Sequence, residues 1–117
     1  MRYTRQQHLR KAADFKEIRA SGNRWECGFF YVTFQARPER EVPLRRAGFI
    51  ASRRTGNAVA RNRAKRLMRE VFRRNQNLLP DSCDLVMVAR PGIIKAEYNE
   101  LERRFRSMVQ KRTGTPS

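Results

Sequence analysis

Residues 53–74, RRTGNAVARNRAKRLMREVFRR, combine the regular apolar spacing of a packed helix with a dense positive charge. The segment contains nine Lys or Arg and a single acid, Glu70. At about 100° per residue, its small and aliphatic side chains share one arc of a helix, as a core-facing stripe requires. They are Ala60, Ala64, Leu67, Met68 and Val71. We therefore expect a helix over 58–74, with Asn57 as a favoured N-cap.

The opposite side of this helix is positive. The cations grouped there around Asn62 are Arg61, Lys65, Arg66, Arg69 and Arg73. A charge run of this kind is commonly a solvated face, but such faces usually mix signs, whereas four of these cations stand four residues apart and repel one another. A polyanion would relieve that repulsion, and arginine suits bidentate contact with phosphate. The pattern favours a phosphate-binding face.

The composition also indicates nucleic acid as the partner. The 117 residues are enough for one domain, and 27 basic against 11 acidic residues give a net charge of +16. An anionic membrane surface is the competing partner, but the apolar stripe of the basic helix holds small and aliphatic residues rather than aromatic anchors. No apolar run of about 20 residues and no signal-peptide core is present, so we expect a cytoplasmic protein without membrane contact.

No catalytic constellation is visible in the sequence. The carboxylates, among them Asp14, Asp81 and Asp84, are scattered, and no Ser or Cys nucleophile stands near a base. Cys27 and Cys83 are too few and too far apart for a zinc motif, so we expect reduced, structural thiols and no metal site. The lone His8 is expected at the surface. The protein is therefore not expected to be the catalyst by itself.

The remaining elements follow from periodicity and breaker residues. We expect a helix over 12–21 ended by Gly22, a strand over 28–36 with a short extension at 23–26, strands over 45–52 and 84–89, and a helix over 96–111. The strand over 45–52 follows a turn-rich loop, and we expect it to pair antiparallel with the strand before that loop. The chain is then a single domain, with flexible ends at 1–11 and 113–117.

Alternation in the first long strand assigns side chains to two faces. Phe30, Val32 and Phe34 should line the core, which leaves Tyr31 and Thr33 on the other face. An aromatic ring on an open face can stack on any base. Two packed faces without a ligand would produce the same alternation.

The order Arg53-Arg54-Thr55-Gly56-Asn57-Ala58-Val59, followed by Arg61-Asn62-Arg63, Lys65-Arg66-Leu67 and Arg69, resembles the signature of the protein subunit of bacterial ribonuclease P. This is an ordered run with a central Arg-Asn-Arg rather than a loose basic helix. A similar register extends outward from it, from Asp14-Phe15 to the strand that ends at Arg90. The resemblance therefore covers most of the chain.

The resemblance implies a fold. It is an α/β (α+β) sandwich in the order α-β-β-β-α-β-α, with a mixed four-stranded sheet like that of ribosomal protein S5 domain 2. The crossover from the strand over 45–52 through the basic helix to the strand over 84–89 is left-handed in that family. General rules of chain connection favour the right-handed form, so the expected handedness comes from the resemblance alone.

The resemblance also implies a function. The enzyme is a ribonucleoprotein endoribonuclease that removes the 5′ leader of precursor tRNA, with catalysis and Mg²⁺ in its RNA subunit. The protein alone is expected to be a monomer. The implied contacts to the RNA subunit are Arg53, Arg54, Asn57, Arg61, Asn62, Arg63, Lys65, Arg66 and Arg69. The implied leader-binding cleft holds Phe15, Arg19, Tyr31, Thr33 and Arg90.

Some assignments stay open at this level. Asn62 is either a contact to RNA or a support for the neighbouring loop, and Phe15 would serve equally in simple core packing. Arg19 stands where the family often has a second aromatic, so it offers a phosphate contact in place of a ring. A noncatalytic RNA-binding module, such as a ribosomal protein, is the main alternative function. A DNA-binding helix is a weaker one, because base-reading side chains at suitable spacing are missing.

Overall fold

The structure is a computed structural model that describes residues 2–21 and 23–113. Within these ranges four strands form one sheet: β1 (Arg24–Glu26), β2 (Phe30–Ala36), β3 (Arg45–Ile50) and β4 (Cys83–Ala89). The α-helices are α1 (Ala12–Ala20), α2 (Ala58–Asn75) and α3 (Tyr98–Thr113). Gly22, the expected helix terminator, and residues 114–117 of the expected flexible end lie outside the described ranges.

The strand order is β1-β2-β4-β3, with β4 antiparallel to β2 and parallel to β3. The expectation that β3 pairs antiparallel with β2 is therefore wrong, because β4 lies between them. All seven residues of β4 are buried, as expected for a strand with neighbours on both edges and cover on both faces. The element order and the mixed sheet that the resemblance implies are confirmed, and α2 connects the parallel neighbours β3 and β4.

The two faces of the sheet are covered unequally. Helices α2 and α3 cover one face, where Phe30 and Val32 of β2 are buried as expected. The shorter α1 packs on the other face, where Ile18 contacts the cluster that contains Val86 and Val88. Because α1 has only nine residues, it leaves part of this face uncovered.

Helix α2 packs through the expected stripe. Ala64, Met68 and Val71 are buried, and Phe72, which was not assigned to the stripe, extends it and is fully buried too. The Asn57 side chain accepts a hydrogen bond from the Ala60 amide at 2.9 Å, which confirms the N-cap. Among the described residues, no helix has the length and apolarity needed to cross a membrane.

The amino-terminal segment, expected to be flexible, is docked on the sheet over residues 3–9. The Tyr3 hydroxyl and the Leu9 amide both donate to the Ala47 carbonyl, at 2.6 and 3.1 Å. The buried Gln7 donates from Nε2 to the Gln76 side chain at 2.8 Å. The polar side chains of this segment suggested flexibility, but Gln7 makes its hydrogen bond with a residue far away in the sequence. Such long-range pairing produces no periodicity that the sequence could show.

Candidate nucleic-acid interface

The outward face of α2 carries cations that are not neutralised by the protein itself. Asn62, Arg63, Arg66 and Arg69 are exposed, while Arg61 and Lys65 are half-buried against the helix. Within residues 2–21 and 23–113, none of the cations in a set of seven forms an ion pair with an acid; the set is Arg53, Arg54, Arg61, Arg63, Lys65, Arg66 and Arg69. We call these seven residues the basic ridge. Their charge is available to an external anion.

The single acid of the helix lies toward its carboxyl end. Glu70 accepts hydrogen bonds from Arg73, and these bonds hold the pKa of Glu70 below its usual value. Arg74 lies 4.0 Å from Glu102 of α3. Neutralisation is therefore concentrated at the last turn of α2, and the first three turns keep their positive charge.

A tight turn places the ridge at the edge of the sheet. After β3 the chain makes a single 3-10 turn over Arg53–Thr55, which buries Thr55 and exposes the two arginines before it. Gly56 then takes a φ of 146°, in the region that favours glycine. Arg61 donates back to the Gly56 carbonyl at 3.1 Å, which fixes the turn to the first part of α2.

A cleft opens where α1 leaves the sheet uncovered. Its floor is formed by Tyr31, Ile50 and Val88, and the cavity above them has a volume of about 440 Å³. The cations that line it are Arg19, Arg24, Arg54 and Arg90. A second cavity of about 750 Å³ adjoins it through Arg19 and Ile50 and is lined by Phe15. The cleft is apolar at its base and positive at its rim.

The structure brings the predicted cleft residues together. Arg19, Tyr31 and Arg90 line the central cavity, while Thr33 is almost fully buried beside a smaller one of about 270 Å³. Phe15 packs on the sheet and also lines the 750 Å³ cavity, so core packing and a position at the cleft are compatible for this residue. Arg54, predicted for the ridge, also lines the cleft and joins the two surfaces.

Sequence reasoning missed one residue of the cleft, Arg24, and its partner Glu26. The Arg24 guanidinium lies over the Tyr31 ring, with Cζ 3.6 Å from the ring centroid. Glu26 binds both Arg24 and Arg90, at 3.1 and 2.6 Å. Arg24 and Glu26 are two residues apart, which places their side chains on one face of β1. Only the pairing of β1 with β2 shows which face of the sheet this is.

The family can now be assigned from comparison with known proteins. The family model for ribonuclease P matches residues 3–113 of the chain. The chain belongs to the ribonuclease P protein family. A ribonuclease P protein component from Syntrophobacter fumaroxidans is 33% identical over 114 residues, which cover 97% of this chain and 93% of that protein. One from Brevibacillus brevis is 32% identical over 107 residues, covering 92% and 83% of the two chains.

Solved structures of this family share the fold. The ribonuclease P protein of Thermotoga maritima superposes with a TM-score of 0.74 at 26% identity, covering 89% of this chain and 96% of that one. The Staphylococcus aureus protein superposes with a TM-score of 0.78 over 94% of this chain and 98% of that one. At 24% identity, the latter similarity concerns the fold alone.

Not every arginine of this ribonuclease P protein faces outward. The fully buried Asp84, at the other end of β4 from Arg90, binds Arg37, Arg40 and Arg46 at 3.2, 2.7 and 2.9 Å. Burial alone would raise the pKa of Asp84, but hydrogen bonds from Arg46 and Arg40 outweigh it and lower the pKa below 3.8. These three arginines therefore stabilise the protein's own carboxylate.

Potential metal ligands are dispersed in the described part of the chain. Over 2–21 and 23–113 no group of three or more His, Cys, Asp or Glu side chains lies close enough to hold a metal ion. Asp84 is surrounded by guanidinium groups, which do not bind cations.

Proposed function

We propose that this ribonuclease P protein binds the RNA subunit of the enzyme through the basic ridge and the 5′ leader of precursor tRNA in the cleft. The observation that carries the proposal is the continuity of the two surfaces. Arg54 is an exposed member of the ridge and also lines the cleft, so basic residues extend from α2 through Arg54 into the cleft. Such a surface can contact two RNA molecules at once.

The charge of the protein explains why an RNA enzyme would need it. Two RNA molecules repel each other, and each phosphate that an arginine neutralises releases condensed counterions. A protein of net charge +16 placed between them lowers this repulsion and the ion concentration needed for assembly. Backbone phosphates carry no sequence information, which suits an enzyme that acts on many precursors.

Bond cleavage is assigned to the RNA subunit. The 440 and 270 Å³ cavities of the cleft are lined by arginines, apolar groups and the hydroxyls of Ser52, Tyr31 and Thr33, and their described lining includes no His, Asp, Glu or Lys that could act as a base. The chemistry that Mg²⁺ supplies, activation of the water that attacks the phosphodiester, belongs in this scheme to metal sites of the RNA. The residues of the protein orient the leader and neutralise its phosphates, and the protein joins the RNA as a monomer.

Within the cleft, the roles divide by chemistry. Phe15 lines the larger cavity with an aromatic ring on which any base can stack, and Tyr31 lies at the base of the cleft with the Arg24 guanidinium over its ring. Arg19 and Arg90 stand at the rim, where they can bind phosphates of the same strand. This arrangement fits a single strand whose length and charge matter more than its sequence.

The proposal is tested by titrating precursor tRNA and leaderless tRNA with the RNA subunit alone and with the assembled enzyme. The protein should tighten binding of the leader-bearing RNA by about tenfold or more and leave the affinity for leaderless tRNA nearly unchanged, because stacking and phosphate contacts are made only with the leader. An equal gain for both RNAs would contradict a leader-binding cleft.

A further inference from the structure

Arg24 and Tyr31 form a stacked pair inside the cleft. In the β1–β2 register, Glu26 is opposite Tyr31 and Arg24 is opposite Thr33. Alternation places these four side chains on the face of the sheet that α1 covers only in part. There the guanidinium of Arg24 covers the Tyr31 ring at 3.6 Å, the separation of two stacked planar groups.

Glu26 holds this pair in place. Its Oε2 atom lies 3.1 Å from Nε of Arg24, and its Oε1 atom lies 2.6 Å from Nη2 of Arg90. The Arg90 Cζ atom is 5.0 Å from the Tyr31 ring centroid. One carboxylate therefore orients two guanidinium groups around a single ring, which reduces the entropy that either group would lose on binding RNA.

The position of Arg24 changes what a nucleotide meets in the cleft. Tyr31 is half-buried and packs against the cluster that contains Val88, and Arg24 covers its ring from the cleft side. A base cannot stack on that side of the ring without displacing the guanidinium. The outer side of Arg24 is accessible, since 49% of its side chain is exposed. Guanidinium planes stack on unpaired RNA bases as aromatic rings do.

We propose that Arg24, stacked on Tyr31 and tethered by Glu26, is the platform on which a base of the bound leader stacks. The inference rests on the proposed function, because it assigns a further binding residue within the leader cleft. Arg19 and Arg54 line the same cavity, where they can bind phosphates of the same strand. The platform accepts any base, since every base has a π-face.

The test distinguishes the contribution of stacking by Arg24 to leader binding from the contribution of its charge. Arg24→Lys keeps the positive charge but loses the planar group, and Arg103→Lys makes the same change at an exposed arginine of α3 that also pairs with a glutamate. Each variant is assembled with the RNA subunit, and its affinity is measured for precursor tRNA, for the same RNA with abasic leader nucleotides, and for leaderless tRNA. Thermal unfolding of each protein checks that it is folded.

The stacking platform predicts that Arg24→Lys lowers affinity for the normal precursor by about tenfold and leaves affinity for the abasic precursor unchanged. Arg103→Lys should change neither. Unchanged binding by Arg24→Lys, or an equal loss with normal and abasic leaders, would overturn the platform while leaving the leader cleft intact. If the unmodified enzyme binds precursor and leaderless tRNA equally, the proposed function fails, and the platform fails with it.

Discussion

Phe15 of α1 occupies the space above Gly48 of β3 in which any other residue would place its Cβ atom. A Cβ built on Gly48 would overlap the edge of the Phe15 ring and come within 3.2 Å of the Leu9 side chain. The absence of a side chain at Gly48 thus lets α1 approach the sheet closely. The same approach sets the position of Phe15 at the wall of the larger cavity.

Gly48→Ala should therefore displace Phe15. We expect a loss of about 1–3 kcal/mol in the free energy of unfolding, since a methyl group is forced into an already packed site. Gly92→Ala is the matched control, because a Cβ there would lie 3.5 Å from the Phe29 ring, at ordinary contact distance. Thermal and denaturant unfolding measure both variants. Equal stability of the two would contradict the close packing of α1 on β3.

The double variant Arg66→Ala, Arg69→Ala tests the basic ridge. Both side chains are exposed and make no ion pair in the described part of the chain, so the free energy of unfolding should change by less than about 0.5 kcal/mol. Affinity for the RNA subunit should fall by about tenfold or more. The slope of log affinity against log salt should become shallower by about 1 to 2, as two phosphate contacts are lost.

Arg103→Ala, Arg106→Ala is the control for that experiment. It removes two exposed arginines with the same spacing from α3, outside the ridge. The ridge is excluded as the RNA contact if both double variants weaken binding equally, or if the first one leaves affinity and salt slope unchanged.

The lowered pKa of Asp84 predicts that the free energy of unfolding depends on pH. Its pKa is lowered in the folded protein, so its ion pairs contribute fully above the unfolded value near 4 and are lost as the pH falls through the lower, folded value. Asp84→Asn should cost about 3 kcal/mol near neutral pH, because Arg37, Arg40 and Arg46 then lose the buried carboxylate that they share.

Asp84→Asn should also flatten the fall in stability below about pH 4. Glu70 and Glu102 have lowered pKa values too, so part of the acid dependence should persist. The control is Asp81→Asn, since the Asp81 side chain is 87% exposed in its pair with Arg45 and should contribute little. Denaturant unfolding from pH 3 to 7 measures these effects. A cost at Asp84 no larger than that at Asp81 would contradict the buried network.

The two thiols should be unreactive in the folded protein. Cys27 and Cys83 are buried and free, and burial raises the pKa of each to about 12. At pH 8 almost no thiolate is present, so alkylation by iodoacetamide should be slow until denaturant is added. Mass spectrometry measures the modification. Rapid labelling of either cysteine in the native protein would show that its surroundings open in solution.

Sequence periodicity predicted the helices and the faces of the strands, but it did not predict strand neighbours. The apolar stripe from Ala60 to Val71 predicted α2, because the polarity of each residue indicates whether its side chain is buried. Alternation in β2 likewise assigned Tyr31 to the open face. Pairing is a relation between distant segments, and the placement of β4 between β2 and β3 left only an indirect sign, the unbroken apolar run of β4.

The partners of charged residues were harder to predict for the same reason, because many of them lie far away in the sequence. The ridge was predictable because its cations repeat along one helix. The partners of Asp84 come from a loop and from β3, so nothing near Asp84 in the sequence indicates a buried ion cluster. The Arg24–Tyr31 stack depends on the β1–β2 register, which composition does not specify. Local patterns therefore indicated the exposed basic face of α2, but not the contacts that arrange the cleft.

Cleavage of precursor tRNA at low Mg²⁺ tests the central claim most directly. The reaction is followed with the protein alone, with ribonuclease P RNA alone, and with the two assembled. We expect no cleavage by the protein alone, little by the RNA alone, and removal of the 5′ leader by the assembled enzyme, because in the proposed scheme the protein supplies counter-charge and the RNA breaks the bond. Cleavage by the RNA-free protein, or no gain when the protein joins the RNA, would contradict the account.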